Sequence, residues 1–207
     1  FKSIKSFSNS INCSVLKDRN EVSNVDFLVV HDIGATFIEK GYKIGNVGRA
    51  AYDVVTLPEM YVERIGRIAY ELAEKRKKRL AAVDLADTFN TEFLRRKVTH
   101  EINEDYPFVN LISYTAESVV TPLLLTPSAF DVIVANESVA NALFSTGAAI
   151  VGGFGNLCEG YLGDAATGLY KPARVARYDT DNKHGVNPVG IILAAAYMLE
   201  YSLDKTT

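Results

Sequence analysis

The sequence has no tryptophan, two methionines, two cysteines and three histidines in 207 residues, and each scarcity narrows what the chain can do. Cys13 and Cys158 lie far apart, which excludes a disulfide framework and fits a reducing compartment, with each cysteine packed as a small apolar residue. His31, His100 and His184 stand singly, and no serine or cysteine nucleophile pairs with His31 in a local pattern. Each histidine is therefore expected to be structural or on the surface. Charge of one sign is also lacking. The formal net charge of -3 argues against a nucleic-acid partner. No apolar run reaches the ~18 residues a membrane span requires. The glycines at 152, 153 and 155 form neither a strand-linked G-x-G-x-x-G nor a P-loop, and a tight turn accounts for them. Asp179-x-Asp181-Asn182 lacks the glycine and glutamate of a calcium-binding EF-hand loop.

What is present reads as a globular chain of one domain or two small ones, about half apolar and a quarter charged. Val25 to Val30 (VDFLVV) predicts a buried strand, and the glycine-bearing residues 33–50 predict loops or a β-hairpin arm. Thr56-Leu57-Pro58-Glu59 predicts a helix start capped by Thr56, with Tyr61, Ile65, Ile68 and Leu72 on its inner face. The basic run Lys75-Arg76-Lys77-Lys78-Arg79 suits a solvated helix end, where positive charge complements the macrodipole. Strand, helix and strand follow at 80–83, 90–103 and 109–114, with Phe93, Val98 and Ile102 on one side of the helix. Val119 to Leu125 is either a helix with Pro122 in its first turn or a buried segment. This alternation predicts an α/β fold.

Residues 130–155 hold a short strand, a turn, an apolar helix and a glycine-rich loop. Ligands of α/β proteins sit beyond the carboxyl ends of the strands, at turns of this kind. Chemistry is sparse here, because Glu137 is the only charged side chain between Asp131 and Glu159. At the far end, Asn187 and Pro188 predict the cap and first position of a last helix, VGIILAAAYMLEYSL. That helix is apolar on nearly every side and is expected to be largely buried.

Several of these segments resemble the decarboxylating NAD(P)-dependent dehydrogenases of isocitrate and 3-isopropylmalate. They are ERIGRIAYELAEKRKKRLAAVD, FLRRKVTHEI, DYPFVNL, PSAFDVIV, GLYKP and NPVGIILAAAYMLEYSL. The resemblance spans nearly the whole chain in the family's order, and AIVGGFGN is closer to the NAD-isocitrate branch, including its regulatory subunits. It implies an incomplete isopropylmalate/isocitrate dehydrogenase-like α/β fold, with a small dimer-forming domain over 1–125 and part of the large domain over 126–207. About one hundred residues that precede this segment in the family are absent. The chain also opens on Phe1, so it is expected to be processed, cut or a fragment.

The resemblance also says where the family's site residues would stand. Its proton-donating tyrosine corresponds to Leu57 and its catalytic lysine to Leu85, with Asp87 in place of an asparagine. Leucine has no titratable group and moves no proton. Two metal-binding aspartates four residues apart correspond to Asn141 and Ser145, and a third, lent by the partner subunit, to Glu117. Two substrate-holding arginines correspond to Lys2 and His31. In the adenine-pocket segment only Asp179 and Lys183 match, while Arg174 and Arg177 resemble regulatory subunits. These positions are expected to hold no metal and no cofactor.

The expectation that follows is a chain that is not an enzyme. It would be a catalytically inactive relative serving as a structural accessory subunit of a larger, mitochondrial assembly. The alternative is a regulatory, non-catalytic subunit of NAD-dependent isocitrate dehydrogenase. Partners would be protein subunits, a dehydrogenase-like paralogue or a second copy, meeting the 118–125 segment and the 90–103 helix. A different reaction using His31, Asp32 and Glu117 is the third reading.

Overall fold

The computed structural model describes residues 2–8, 25–46, 48–163, 168–173 and 187–203. In chain order the elements are β1 (Lys2–Ser8), β2 (Asp26–Asp32), β3 (Phe37–Gly45), β4 (Gly48–Thr56), α1 (Glu59–Lys75), β5 (Arg79–Asp84), α2 (Asn90–Ile102), β6 (Asn110–Thr115), α3 (Ala116–Leu125), β7 (Val132–Ala135), α4 (Glu137–Ile150), β8 (Cys158–Leu162), β9 (Gly168–Pro172) and α5 (Val189–Tyr201). One sheet runs in the order β6-β5-β7-β2-β1-β8-β9, and β3 pairs with β4 in a separate hairpin. β6, β5, β7 and β2 are parallel, whereas β1, β8 and β9 continue the sheet with antiparallel pairings. The boundary expected near residue 125 falls at the end of α3, and the sheet runs across it because β7 sits between β5 and β2.

The central strands are apolar on both sides, as parallel strands covered on both faces must be. Leu28, Val30, Leu80, Ala82, Val132 and Val134 pack in one cluster with α1 and α2. Phe27, Val29, Ala81, Val83, Ile133 and Ala135 pack in the other, with α3 and α4. Two helical layers thus clamp the parallel half of the sheet.

Thr56 does not cap α1 as the sequence predicts. It stays in β4, paired with Phe37, and Pro58 takes the cap position without a side-chain bond. The buried stripe is Val62, Ile65, Gly66, Ala69, Tyr70 and Ala73, with Tyr61, Ile68 and Leu72 at its margin. Small residues turn inward because α2 lies close: a Cβ on Gly66 would stand 2.7 Å from Ile102 Cδ1. On α2, Val98 and Ile102 are buried as expected, whereas Phe93 is 59% exposed. Glu92 and Arg95 take the inward positions instead and pair at 3.5 Å.

The basic run after α1 is partly structural. Arg76 donates from Nε to Asp131 Oδ1 at 2.8 Å and from Nη2 to Asp26 Oδ1 at 2.8 Å. The Lys77 backbone N–H donates to Asp131 Oδ2 at 2.8 Å. A fully buried carboxylate at the start of β7 is thereby paired.

α3 begins earlier than the apolar run suggests. Thr115 and Ser118 form a reciprocal capping box, so Pro122 falls inside the helix and not in its first turn. Val119 and Leu123 face the core, while Val120, Leu124 and Leu125 are exposed. The β3–β4 hairpin projects Phe37, Ile38, Tyr42, Ile44, Tyr52, Val54 and Val55 into solvent.

α5 departs furthest from expectation. Only Gly190 and Ala194 of its 13 residues are buried. It packs chiefly on β8 and β9, and Ile191, Ile192 and Met198 on its outer face are exposed. Among the described residues, no helix is long and apolar enough to cross a membrane.

Candidate functional site

β5, β7 and β2 finish side by side, since Ala82 is level with Val134 and Val134 with Val30. Asp84, Asn136 and Asp32 therefore stand at one edge, beyond the carboxyl ends of parallel strands. This is where an open α/β sheet presents its ligand crevice.

Asp84 ends β5 with its side chain 2% exposed. Arg96 of α2 grips it in a fork, Nε to Oδ2 at 2.9 Å and Nη2 to Oδ1 at 2.7 Å, and the Ala86 N–H donates to Oδ1 at 3.0 Å. Asp84's hydrogen bond makes Arg96 hold its proton more tightly than a free guanidinium, against a smaller opposing cost of burial. Asp32 ends β2 and receives Arg64 Nη2 of α1 at 2.6 Å on Oδ2. Its Oδ1 is buried without a hydrogen-bond partner among the described residues. Arg64 also lies 5.2 Å from the centre of the Tyr61 ring. Arg64 and Arg96 are each 30% exposed, so each pair joins a buried carboxylate to a guanidinium that reaches the surface. Asn136 caps α4, accepting from the Val139 N–H at 2.9 Å.

The residues singled out in the sequence are dispersed around this edge. Leu57 is buried in the cluster beside α1 and α2. Leu85 is half-buried against the opposite cluster, beside α3 and α4. Strand alternation sends His31 to the face opposite Asp32. His31 is 2% exposed, with Nδ1 3.3 Å from the Asp32 carbonyl oxygen. The third reading, a reaction using His31, Asp32 and Glu117, finds His31 and Asp32 on opposite faces of the sheet and Asp32 held by Arg64. Glu117 is exposed in the first turn of α3. Asn141 and Ser145 are exposed one turn apart on α4. Cys158 is buried, and burial pushes its thiol up to about 12. The side chain of Lys2, together with Cys13, Arg174, Arg177, Asp179, Lys183 and His184, lies outside the described residues.

The family implies a divalent cation at Glu117, Asn141 and Ser145. The donor set does not fit one. Ser145 Oγ donates to the Asn141 carbonyl oxygen at 3.0 Å, and a hard dication prefers several carboxylates to an amide and a hydroxyl. Among the described residues no group of three His, Cys, Asp or Glu is placed to hold a metal. No chemical step is assigned to a cation at these positions.

Sequence reasoning missed Arg64 and Arg96. The available signal was an aspartate closing each apolar strand, FLVVHD and LAAVD, followed by an arginine on an amphipathic helix. A buried carboxylate needs a cationic partner, and the neighbouring helix is where one is found.

A sheet whose parallel half is covered by two helical layers, with charged groups at the strand ends and a separate hairpin, places the chain among the open-sheet α/β proteins. The solved structure of isocitrate dehydrogenase from Methylococcus capsulatus superposes with a TM-score of 0.82, covering 99% of this chain and 60% of that one at 21% identity. A beta-decarboxylating dehydrogenase from Thermococcus kodakarensis gives 0.79, covering 97% and 56%, also at 21% identity. At these identities the likeness establishes the fold. The sequence model of the isocitrate/isopropylmalate dehydrogenase family matches residues 1–207, and the chain belongs to that family. Among curated relatives, 3-isopropylmalate dehydrogenase of Saccharophagus degradans is 35% identical over 188 residues, covering 89% of this chain and 53% of the relative. The Thermotoga maritima protein of the same name is 33% identical over 199 residues, covering 96% and 55%. The chain thus spans about half the length of the curated relatives it matches.

These relatives overturn the expectation that the chain is not an enzyme. They carry the name of a dehydrogenase at 33–35% identity, and the family is an enzyme family. That expectation rested on Leu57, Leu85, Asn141 and Ser145 standing together where the family's tyrosine, lysine and two aspartates belong. Single positions in a part-length match do not measure turnover by a complete protein.

Proposed function

We propose that the chain is a subunit of a decarboxylating 2-hydroxy-acid dehydrogenase, working in an assembly with further protein chains. One observation carries this reading: the isocitrate/isopropylmalate dehydrogenase family model matches residues 1–207. Its part in the assembly is to build the subunit surfaces and one charged edge of the substrate crevice. The surfaces are the apolar β3–β4 hairpin and the exposed face of α3, which bear large apolar side chains that solvent does not favour. The edge is the row of strand ends with Arg64 and Arg96. A guanidinium anchored on a buried carboxylate is held in place and still reaches the surface, which suits recognition of a carboxylate substrate. The nicotinamide cofactor that the family implies would meet residues 174–183, which are outside the described residues. Mitochondrial location is part of the proposal and is supported by the likeness of AIVGGFGN to the NAD-isocitrate branch.

The test is to purify the native assembly and assay it with 3-isopropylmalate and with isocitrate, supplying NAD or NADP and Mg²⁺ or Mn²⁺. The reading expects turnover of one of these acids by an assembly containing this chain. In the same assembly Arg64→Lys, which keeps the charge and loses the fork, is expected to raise KM about tenfold with kcat little changed. Full activity from the 207-residue chain alone, or no turnover by the assembly, would contradict it.

A further inference from the structure

Arg64 and Arg96 stand at the same edge of the sheet and are equally exposed, but they are anchored differently. Asp84 takes Arg96 by a two-point fork, Nε to Oδ2 at 2.9 Å and Nη2 to Oδ1 at 2.7 Å. Two parallel bonds fix both the position and the plane of a guanidinium. Asp32 takes Arg64 by one point, Nη2 to Oδ2 at 2.6 Å, while Asp32 Oδ1 has no hydrogen-bond partner among the described residues. A single contact to a carboxylate fixes where a guanidinium stands and does not fix how its plane is turned.

The second restraint comes from α1 itself. Tyr61 precedes Arg64 by three residues, so the two side chains are neighbours on one face of the helix. Arg64 Cζ lies over the Tyr61 ring, 5.2 Å from its centre. The negative face of an aromatic ring attracts a cation placed over it. The ring is braced in turn. Tyr61 is half-buried against the cluster of α1 and α2, and the Phe37 ring at the root of the hairpin lies 6.4 Å away, tilted by 54°. We infer that Tyr61 is a positioning residue for the crevice: its ring sets the plane of the Arg64 guanidinium for an incoming carboxylate, as the fork on Asp84 does for Arg96. The inference rests on the proposed role of Arg64 in substrate binding. It needs the face of the ring and not the hydroxyl, so Tyr61→Phe keeps the function, whereas Tyr61→Leu keeps apolar bulk and loses the face.

The experiment measures KM and kcat of the native assembly for 3-isopropylmalate and isocitrate with Tyr61→Leu, Tyr61→Phe, Arg64→Lys and the double variant Tyr61→Leu/Arg64→Lys. Tyr61→Leu is expected to raise KM about three- to fivefold with kcat unchanged, the size of one partly exposed cation–π contact. Tyr61→Phe is expected to keep the original KM. The double variant is expected to match Arg64→Lys alone, because an ammonium has no plane to orient. Side-chain NMR of Arg64 in the isolated chain gives a readout independent of turnover. The ring-current displacement of its resonances is expected to vanish in Tyr61→Leu and persist in Tyr61→Phe. An unchanged KM in Tyr61→Leu, a rise that Tyr61→Phe reproduces, a fall in kcat alone, or Arg64 resonances indifferent to Tyr61→Leu would each overturn the inference. If Arg64→Lys raises KM and Tyr61→Leu does not, the inference falls and the proposed function stands. If neither moves KM, Arg64 binds no substrate and both fall.

Discussion

α4 and α5 are near equals in length and both are rich in alanine and large aliphatic residues, yet the fold treats them differently. α4 buries seven of its 14 residues, and its outer face shows Ser138, Asn141 and Ser145. α5 buries two of 13 and shows Ile191, Ile192 and Met198. A helix with a polar outer face is finished once its apolar stripe meets the sheet. A helix apolar all round is stable in water only when a second surface covers it. α4 thus completes its layer on the parallel half, whereas α5 leaves apolar surface at the antiparallel end.

The largest expected effect tests the parallel half. Arg76→Met leaves Asp131 buried and unpaired, and is expected to cost about 3–5 kcal/mol in urea unfolding of the isolated chain. Leu143→Ala on α4 removes a side chain that is 2% exposed and should cost about 3 kcal/mol. The matching change on α5, Ile192→Ala, at a side chain 63% exposed, should cost under about 0.5 kcal/mol in the isolated chain. Equal losses at Leu143 and Ile192 in the isolated chain would break the comparison. Asn136→Ala, which removes the cap of α4, should cost about 1 kcal/mol.

Cys158 sharpens the contrast through pH. Its ordinary value of 9.0 is raised by burial to about 12, so the folded chain keeps a proton that the unfolded chain loses. Stability from this group is complete below pH 9.0 and is lost progressively as the pH rises toward about 12. Cys158→Ala should flatten that alkaline limb, and iodoacetamide at neutral pH should label Cys158 only as fast as the region opens.

Much of this fold was legible in sequence because its signals are local. Apolar runs bounded by polar residues gave the strands from Val25, Leu80 and Phe130, and the alternation with helices gave the α/β class. The errors arose where a partner element decides. Thr56 reads as a cap, but pairing with Phe37 keeps it in a strand. Phe93 reads as core, but the close approach of α1 at Gly66 leaves the helix turned so that Phe93 faces water. The apolar run of α5 reads as largely buried, but only Gly190 and Ala194 are covered, because the helix meets the sheet on one narrow face. The strand-end ion pairs were missed for the same reason, since Asp32 and Arg64 are distant in sequence and meet only once α1 lies on the sheet.

The central claim is that the fold buries α4 on the parallel half of the sheet and leaves α5 largely uncovered at the antiparallel end. Amide hydrogen exchange along the isolated chain tests this most directly. The account predicts that amides of Gly168–Pro172 and Val189–Tyr201 exchange at least a hundredfold faster than those of β7 and α4. Equal protection of α4 and α5 would contradict it.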